Sequence, residues 1–277
     1  MNKRIIFIAA GVIIAALVLS AIIYKRNSSI PGVSAKAQTA EASDREASKI
    51  YNEADKLAAE GKISDARNMY KKILTEYPES ALVSQVRSEL DDFNVRILFS
   101  PIPTQDSTVY EVVPGDNLAK IAKKFGTTVD LIMKSNALSG NLIRPGMKLK
   151  ISKAKYSILV DKSQNILILK SDGEVFKTYI VATGINSSTP IGAYQIKEKL
   201  VDPTWHRAGA VIPPGSPDNI LGTRWLGLTL EHYGIHGTTD DSTLGRQVTA
   251  GCVRMSNKDV EEIYCIVPVG TEVAIID

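Results

Sequence analysis

The sequence has few of the residues that most often carry chemistry or cross-links. Its 277 residues include only two cysteines, three histidines and two tryptophans. One cysteine lies in an apolar run and the other in a polar loop, which excludes a disulfide framework. The formal net charge is only +3, so the chain lacks the basic field that attracts nucleic acid, and no nucleic-acid partner is expected.

The N-terminus has the one long apolar run. A chain of 277 residues favours two or more domains. Ile5 to Tyr24 contains no charged residue and, as a helix, would span roughly 30 Å. A cleaved signal peptide would have a shorter apolar region, and the small-x-small site at Ala35-Lys-Ala37 lies well beyond this one. We therefore expect a transmembrane anchor within residues 1–26, and a single-pass protein of the cell membrane with its remainder outside the cytoplasm.

The next two segments predict a linker and a helical region. Residues 27–43 are rich in Ser and Ala, include Pro31 and Gly32, and predict a flexible linker. Residues 44–95 have apolar residues at helical spacing and predict a small all-α helical hairpin followed by a further helix. The pattern resembles one tetratricopeptide unit, whose positions are matched by Ala54, Ala66, Tyr70 and Pro78. One unit is shorter than a stable array, so a plain helical stalk and an element that binds an unknown protein partner both remain open.

A compact unit follows a second predicted linker at residues 96–108. Residues 109–152 have β patterns at both ends and two short amphipathic helices between them, joined by Pro-Gly turns. The segment resembles a LysM module, with family positions at Gly115-Asp116, Leu118, Ile121-Ala122, Phe125-Gly126, Asn136, Ile143 and Pro145-Gly146. This resemblance implies a βααβ fold that binds the N-acetylglucosamine-containing glycan of peptidoglycan through Gly115, Asp116, Asn136 and Pro145. The alternative is a small α/β spacer without a ligand groove.

Residues 155–277 are predicted to form a mainly-β domain. Short strands alternate with Gly and Pro turns from Tyr156 onward. The Pro- and Gly-rich excursion from Asp202 to Thr223 is too long for a routine connection, and we expect it to form a lid or a substrate wall. After it, Leu226, Leu228 and Leu230 alternate with small or polar residues. This predicts a strand that continues through His236.

Two histidines near the end of that strand could suggest a zinc site. His232 and His236 have the i, i+4 spacing that would place both imidazoles on one metal if they lay on a helix. On the predicted strand they stand roughly 13 Å apart and cannot share an ion. We therefore expect no metal and no other cofactor.

Cys252 has the surroundings of a reactive thiol. It follows Gly251 in a polar turn and precedes Arg254 and Ser256, the predicted N-cap of a helix. Amides near Gly251 could bind an oxyanion, and cationic or imidazole neighbours would favour the thiolate. The chemistry alone leaves a nucleophile and a structural thiol both open. Cys265, within an apolar run, fits a buried structural thiol.

The motifs around these residues resemble the L,D-transpeptidase catalytic domain of YkuD type over about Tyr156 to Ile276. The matching stretches are His236-Gly-Thr, Thr249-x-Gly251-Cys252-Val-Arg254-Met-x-Asn257, Thr189-Pro-Ile-Gly192 and Leu221-Gly-Thr-Arg-Trp-Leu-Gly227. The resemblance implies a β-sandwich-like sheet fold with a cleft, Cys252 as nucleophile and His236 as proton donor and acceptor. Many members have His directly before Gly-Cys, where this chain has Ala250. Gly237 has no side chain to orient His236, so a main-chain carbonyl must do so.

These assignments imply a peptidoglycan L,D-transpeptidase. Cys252 would attack the third stem residue of a tetrapeptide donor, release D-Ala and form a thioester, which an amine acceptor would resolve into a new peptide bond. The backbone near Gly251 would hold the oxyanion. The expected substrate-binding residues are Arg254, His232 and Thr249, and the alternative for Arg254 is a structural ion pair.

Two other functions remain open at this point. An L,D-carboxypeptidase would resolve the same thioester with water. A non-catalytic wall-binding anchor protein would use only the LysM module.

Overall fold

The computed structural model describes residues 31–207 and 209–277 of the chain. The predicted membrane anchor at residues 1–26 lies outside these ranges. Within them, no helix has both the length and the apolar character needed to cross a membrane. For the described residues, the predicted fold class is therefore corrected to helices followed by a mainly-β domain, and the single-pass membrane localisation is not supported.

The chain divides into two compact units, Met1–Leu90 and Asp91–Asp277. In the first, α1 (Pro31–Ala59) and α2 (Ile63–Glu76) form the predicted helical hairpin, and α3 (Val83–Leu98) begins after it. The helix α1 includes residues 31–43, which were predicted to be a linker. These residues form helix because alanine, glutamine and lysine favour it, and because proline is well tolerated at a first helical position.

The residues of the tetratricopeptide-like pattern form the core of the hairpin. Ala54, Ala66 and Tyr70 are fully buried. The ring of Tyr51 lies 5.6 Å from that of Tyr70, centroid to centroid. The periodic positions therefore account for how the hairpin packs.

The segment that resembles LysM has the predicted βααβ order. It consists of β1 (Ser107–Glu111), α4 (Leu118–Phe125), α5 (Val129–Ser135) and β2 (Lys148–Ser152), and the two strands pair antiparallel. Asn117 caps α4 by accepting a hydrogen bond from Lys120 N–H, and Gly126 ends the helix in the left-handed conformation. Thr128 caps α5 in the same way as Asn117 caps α4.

An eight-stranded mixed sheet forms the centre of the second unit. Its strands are β3 (Tyr156–Asp161), β4 (Ile166–Ser171), β5 (Glu174–Ile180), β7 (Gly192–Val201), β10 (Arg224–Leu228), β11 (Gly234–His236), β13 (Val253–Arg254) and β14 (Glu272–Ile276). They lie side by side in the order β13-β11-β10-β7-β14-β3-β4-β5. Two short pairs lie outside this sheet: β6 (Thr183–Gly184) with β12 (Gln247–Thr249), and β8 (Trp205–Arg207) with β9 (Ala210–Ile212).

The helix α6 (Asn257–Ile266) supplies apolar residues to the core of the sheet domain. Ser256 caps it as predicted, accepting a hydrogen bond from Asp259 N–H at 3.1 Å. Cys265 lies on its buried face, 6% exposed, and burial raises the pKa of this thiol to about 12. The prediction of a buried structural thiol at Cys265 is confirmed.

The predicted strand through His236 is two strands joined by a turn. β10 ends at Leu228, and β11 begins only at Gly234. Leu228 N–H donates to the carbonyl of Tyr233, which turns the chain back on itself, and His232 in the turn has a φ of 68°. The prediction of one continuous strand through His232 and His236, from which the 13 Å spacing was calculated, was therefore wrong.

The LysM segment and the end of α3 share a core with the sheet. Leu131 of α5 and Leu98 of α3 belong to the same buried cluster as the strand residues. Thr128 Oγ1 donates to the carbonyl of Cys265. Ser135 Oγ donates to the carbonyl of Leu98 at 2.8 Å. The two modules thus form one packed body.

The outer edge of β5 is covered by side chains of α3. Asn94, 2% exposed, donates from its amide to the carbonyl of Phe176 at 2.7 Å. The main-chain N–H of Thr178 donates to Asp91 Oδ2 at 2.9 Å. These bonds satisfy backbone groups that an edge strand would otherwise leave open.

Candidate active site

A cavity of about 630 Å³ lies over strands β13, β11, β10 and β7. All three histidines and both tryptophans of the chain line it, together with Cys252 and Arg254. The Asp202–Thr223 excursion supplies one side through Pro203, Thr204, Trp205, His206, Ile220 and Leu221. The excursion therefore forms a wall of this cavity, and contact of this wall with substrate stays a prediction.

The side chain of Asn219 forms hydrogen bonds to several parts of this wall. Asn219 is 3% exposed, and its amide nitrogen donates to the carbonyls of Pro203 (2.9 Å), Ile212 (3.3 Å) and Pro213 (3.1 Å). Its Oδ1 accepts from Leu221 N–H at 3.0 Å. The excursion is therefore tied at both ends of its hairpin and forms a fixed side of the cavity.

His236 is held with its proton on a defined nitrogen. It is 2% exposed, and its Nδ1 lies 2.6 Å from the carbonyl oxygen of Gly237. Because a carbonyl only accepts, Nδ1 carries the hydrogen and Nε2 of the neutral ring has a free lone pair. The predicted orientation by a main-chain carbonyl is confirmed.

Burial keeps this imidazole neutral at neutral pH. It lowers the pKa of His236 to about 4, although the hydrogen bond to Gly237 opposes the shift. The positive charge of Arg254 lowers the pKa further. A neutral ring with an available lone pair can act as a base.

The orienting carbonyl is fixed by a close approach between two glycines and α6. A Cβ added to Gly237 or to Gly222 would lie 2.2 Å from Asn257 Oδ1. The same oxygen accepts from Thr223 N–H at 3.0 Å. A Cβ at Gly222 would also lie 2.6 Å from the main chain of Gly237 and Thr238, so only glycine fits there without a shift of the backbone that carries the carbonyl.

Cys252 lies in the loop between β12 and β13. Thr249 Oγ1 donates to the carbonyl of Cys252 at 2.7 Å and accepts from Gly251 N–H at 3.1 Å. Gly251 has a φ of 133°, and a Cβ there would lie 2.7 Å from Tyr233 Cε1. The hydroxyl of Thr249 and the amide of Gly251 are thus used within the loop, so a role of Gly251 N–H in an oxyanion site would require this bond to open.

The thiol of Cys252 is protonated at neutral pH. Burial raises its pKa, and the hydrogen bond from the Gly234 backbone and the charge of Arg254 only partly oppose this. Its Sγ lies 3.7 Å from the carbonyl oxygen of His232. We expected the neighbouring groups to favour the thiolate, but desolvation is the larger effect here. The resting pair is therefore a neutral thiol and a neutral imidazole.

Arg254 brings a positive charge to the cavity. It pairs with His236 across the parallel strands β11 and β13, and one of its terminal nitrogens donates to Thr243 Oγ1 at 3.2 Å. Its Nε is buried without a hydrogen-bond partner among the described residues. No carboxylate in residues 31–207 and 209–277 forms an ion pair with it, which disfavours the structural alternative.

The residues predicted to bind glycan serve in part to build the LysM fold. Asp116 accepts hydrogen bonds from a tyrosine hydroxyl (2.8 Å) and from a main-chain N–H (2.9 Å), and these bonds lower its pKa. The side-chain amide of Asn136 bonds to both the N–H and the carbonyl of Lys150. Gly115 and Pro145 lie in exposed turns. Their role in glycan binding stays a prediction.

Sequence reasoning did not single out Trp225 or Glu198, which both line the cavity. Trp225 stacks on His236 with ring centroids 6.0 Å apart. Trp225 lies inside a family motif, so the motif itself was a signal. Glu198 lies on a strand without any motif, and only the structure places it at the cavity.

The fold and the cavity define the class of this protein: an enzyme domain with a thiol and an imidazole over one end of a mixed sheet, attached to a LysM module. Comparison with known families agrees. Residues 155–275 match the L,D-transpeptidase catalytic domain (YkuD), and residues 110–152 match the LysM domain.

Two similar bacterial proteins are also described as putative L,D-transpeptidases. The putative L,D-transpeptidase YkuD of Bacillus licheniformis is 35% identical over 175 residues, which cover 60% of this chain and 98% of that protein. The putative L,D-transpeptidase YqjB of Bacillus subtilis is 38% identical over 126 residues, or 43% of this chain and 70% of that one. The chain belongs to the YkuD family of L,D-transpeptidases and is an enzyme of that class.

A solved L,D-transpeptidase from Mycobacterium tuberculosis has a more distant likeness to this chain. It is 18% identical, with a TM-score of 0.39, over 48% of this chain and 63% of that one.

Proposed function

We propose that this enzyme is a peptidoglycan L,D-transpeptidase that works through a thioester on Cys252. The observation that supports this most directly is the fixed tautomer of His236. Its Nδ1 is bonded to Gly237, and both His236 and Cys252 line one cavity. The lone pair on Nε2 is the group that a protonated thiol needs in order to become a nucleophile.

Acylation then follows from a neutral pair. As Cys252 Sγ attacks the carbonyl carbon of the third stem residue, its proton passes to His236 Nε2 and the carbonyl oxygen becomes an oxyanion. Main-chain amides of the Gly251 loop stabilise this charge, and for Gly251 N–H this requires its bond to Thr249 Oγ1 to open. His236 then gives the proton to the amine of the departing D-Ala, the C–N bond breaks, and the donor remains as a thioester.

Deacylation uses the same groups in reverse. The acceptor amine loses a proton to His236 Nε2 as it attacks the thioester carbon. The new peptide bond forms, and the proton returns to the sulfur of Cys252. Arg254, whose buried Nε has no hydrogen-bond partner among the described residues, holds a substrate carboxylate close to the reacting centre. His232 and Thr249 contribute to the cavity lining.

The LysM module brings the substrate to this site. Gly115 and Pro145 lie in its exposed turns and contact the N-acetylglucosamine-containing glycan. Asp116 holds the first turn in shape, and Asn136 ties the end of α5 to β2. A glycan-binding module joined to a peptide-bond-forming domain suits a protein of the cell wall.

The test is a product analysis with matched cysteine variants. The full chain is incubated with purified tetrapeptide muropeptides, and every product is identified by mass. We expect dimers with a 3-3 linkage and released D-Ala from the wild type and from Cys265→Ala. We expect neither from Cys252→Ala.

Two outcomes contradict the proposal. Full release of D-Ala by Cys252→Ala would exclude the thioester. Tripeptide without any dimer would show that water resolves the thioester, and the enzyme would then be an L,D-carboxypeptidase.

A further inference from the structure

Four neighbouring strands place a row of side chains across the cavity floor. Arg254 pairs with His236, His236 with Trp225, and Trp225 with Leu200. Residues that pair directly across strands face the same side of a sheet, and all four line the cavity. With strands about 4.8 Å apart, the row from β13 to β7 spans roughly 14 Å.

The indole of Trp225 links the catalytic histidine to Glu198. Its ring stacks on His236 with an interplanar angle of 22°, and its Nε1 donates to Glu198 Oε1 at 3.4 Å. Glycine makes room for this ring on both sides. A Cβ at Gly234 would lie 2.6 Å from the indole carbons, and one at Gly227 would lie 2.8 Å from Nε1. The ring therefore has a fixed place between the imidazole and the carboxylate.

The cavity has opposite charges at its two ends. Arg254 lies at the β13 end, and Glu198, two residues from Leu200 on the same face of β7, lies at the other. Glu198 is exposed, and no lysine or arginine in the described ranges forms an ion pair with it. Its Oε2 is open to a ligand.

The reaction supplies a ligand of the matching charge. Transpeptidation consumes a primary amine, and such amines are protonated at neutral pH because their pKa is about 10. An ammonium group thus has to enter a cavity that already holds a cation at one end. We propose that Glu198 binds a primary ammonium group of the substrate at the β7 end of the cavity. This inference rests on the proposed function.

The ammonium can belong to the acceptor or to a side chain of the donor, and two separated steps distinguish these sources. Acylation is followed by the intact mass of the full chain after addition of a tetrapeptide donor. Aminolysis is followed by adding an acceptor to the isolated acyl-enzyme. Two acceptors are compared: a muropeptide with a free side-chain amine, and hydroxylamine, which is uncharged at neutral pH.

The variants are Glu198→Gln and its matched control Glu174→Gln. Gln keeps an oxygen for Trp225 Nε1 and removes only the charge, and Glu174 is an exposed carboxylate of β5 that lies outside the cavity lining. We expect Glu198→Gln to lower kcat/KM for the charged acceptor roughly 2- to 5-fold, as for an exposed ion pair, and to leave the rate with hydroxylamine unaffected. Glu174→Gln should change neither rate.

Salt provides a measurement on the wild type that does not depend on the folding of any variant. Aminolysis by the charged acceptor should weaken between low and high ionic strength, and aminolysis by hydroxylamine should not. Loss of rate in the acylation step alone, and only with donors that carry a free amine, would assign the ammonium to the donor and still support the proposal.

Equal rates for Glu198→Gln and the wild type in both steps would overturn the proposal, as would equal losses with both acceptors. A wild type that forms no adduct on Cys252 would instead refute the proposed function.

Discussion

Lowering the pH from 7 to 4 should destabilise the fold through His236. Burial lowers the pKa of this imidazole to about 4 from an ordinary value of 6.5. Between these two values the unfolded chain binds a proton that the folded chain does not bind. The stability associated with a neutral His236 is therefore present above pH 6.5 and is lost as the pH falls towards 4.

The size of the effect follows from the shift. Each pKa unit corresponds to about 1.4 kcal/mol, so the difference between 6.5 and about 4 gives about 3 kcal/mol lost between pH 7 and pH 4. That is a large fraction of the stability of an ordinary domain. The carboxylates of the chain also titrate in this range, so only a comparison with a variant isolates the histidine.

The assay is urea unfolding of the full chain at pH 7, 6, 5 and 4, followed by tryptophan fluorescence. Both tryptophans lie in the unit that contains the cavity. His236→Gln should lose about 3 kcal/mol less than the wild type over this range, whereas His206→Gln, which removes an exposed histidine, should behave as the wild type. If His236→Gln and the wild type lose the same free energy, burial does not keep this ring neutral.

Three other changes test separate parts of the structure. Gly222→Ala should lower kcat roughly tenfold or more because the added methyl would lie 2.6 Å from the main-chain carbon of Gly237, whose carbonyl orients His236, and thermal unfolding should show that the fold persists. Asn94→Leu should cost about 1 to 3 kcal/mol in urea unfolding, since the carbonyl of Phe176 is left without its donor. Iodoacetamide labelling of Cys252, followed by mass, should accelerate roughly tenfold per unit from pH 7 to pH 9, because burial raises this pKa; a flat profile would contradict a protonated resting thiol.

The sequence predicted the local features of the fold well. Period-two patterns and turn residues indicated the strands of the sheet domain, and helix caps such as Ser256 had the expected partners. The need for a carbonyl to orient His236 followed from the absence of a side chain at Gly237. Each of these depends on residues that are close together in the chain.

Features that depend on tertiary packing were not predictable in the same way. The turn at His232 interrupts an alternating pattern of apolar and polar residues. No residue type in the sequence indicates this turn, and the positive φ of His232 is visible only in the folded chain. The protonation of Cys252 depends on how deeply the folded chain buries it. Residues 31–43 form helix where composition predicted a linker, and Glu198 reaches the cavity only because β7 lies beside β10.

The shared core of the LysM and sheet domains limits how this chain can be divided. Separating the chain between residues 152 and 155 follows the boundary between the two family matches. It would nevertheless expose Leu131 of the LysM segment and the end of α6 at Cys265, which are in contact with the other part. Each half would then expose an apolar surface to water. Any exchange of the LysM module between relatives must therefore carry its contact face with it, because the two domains of this chain share one core.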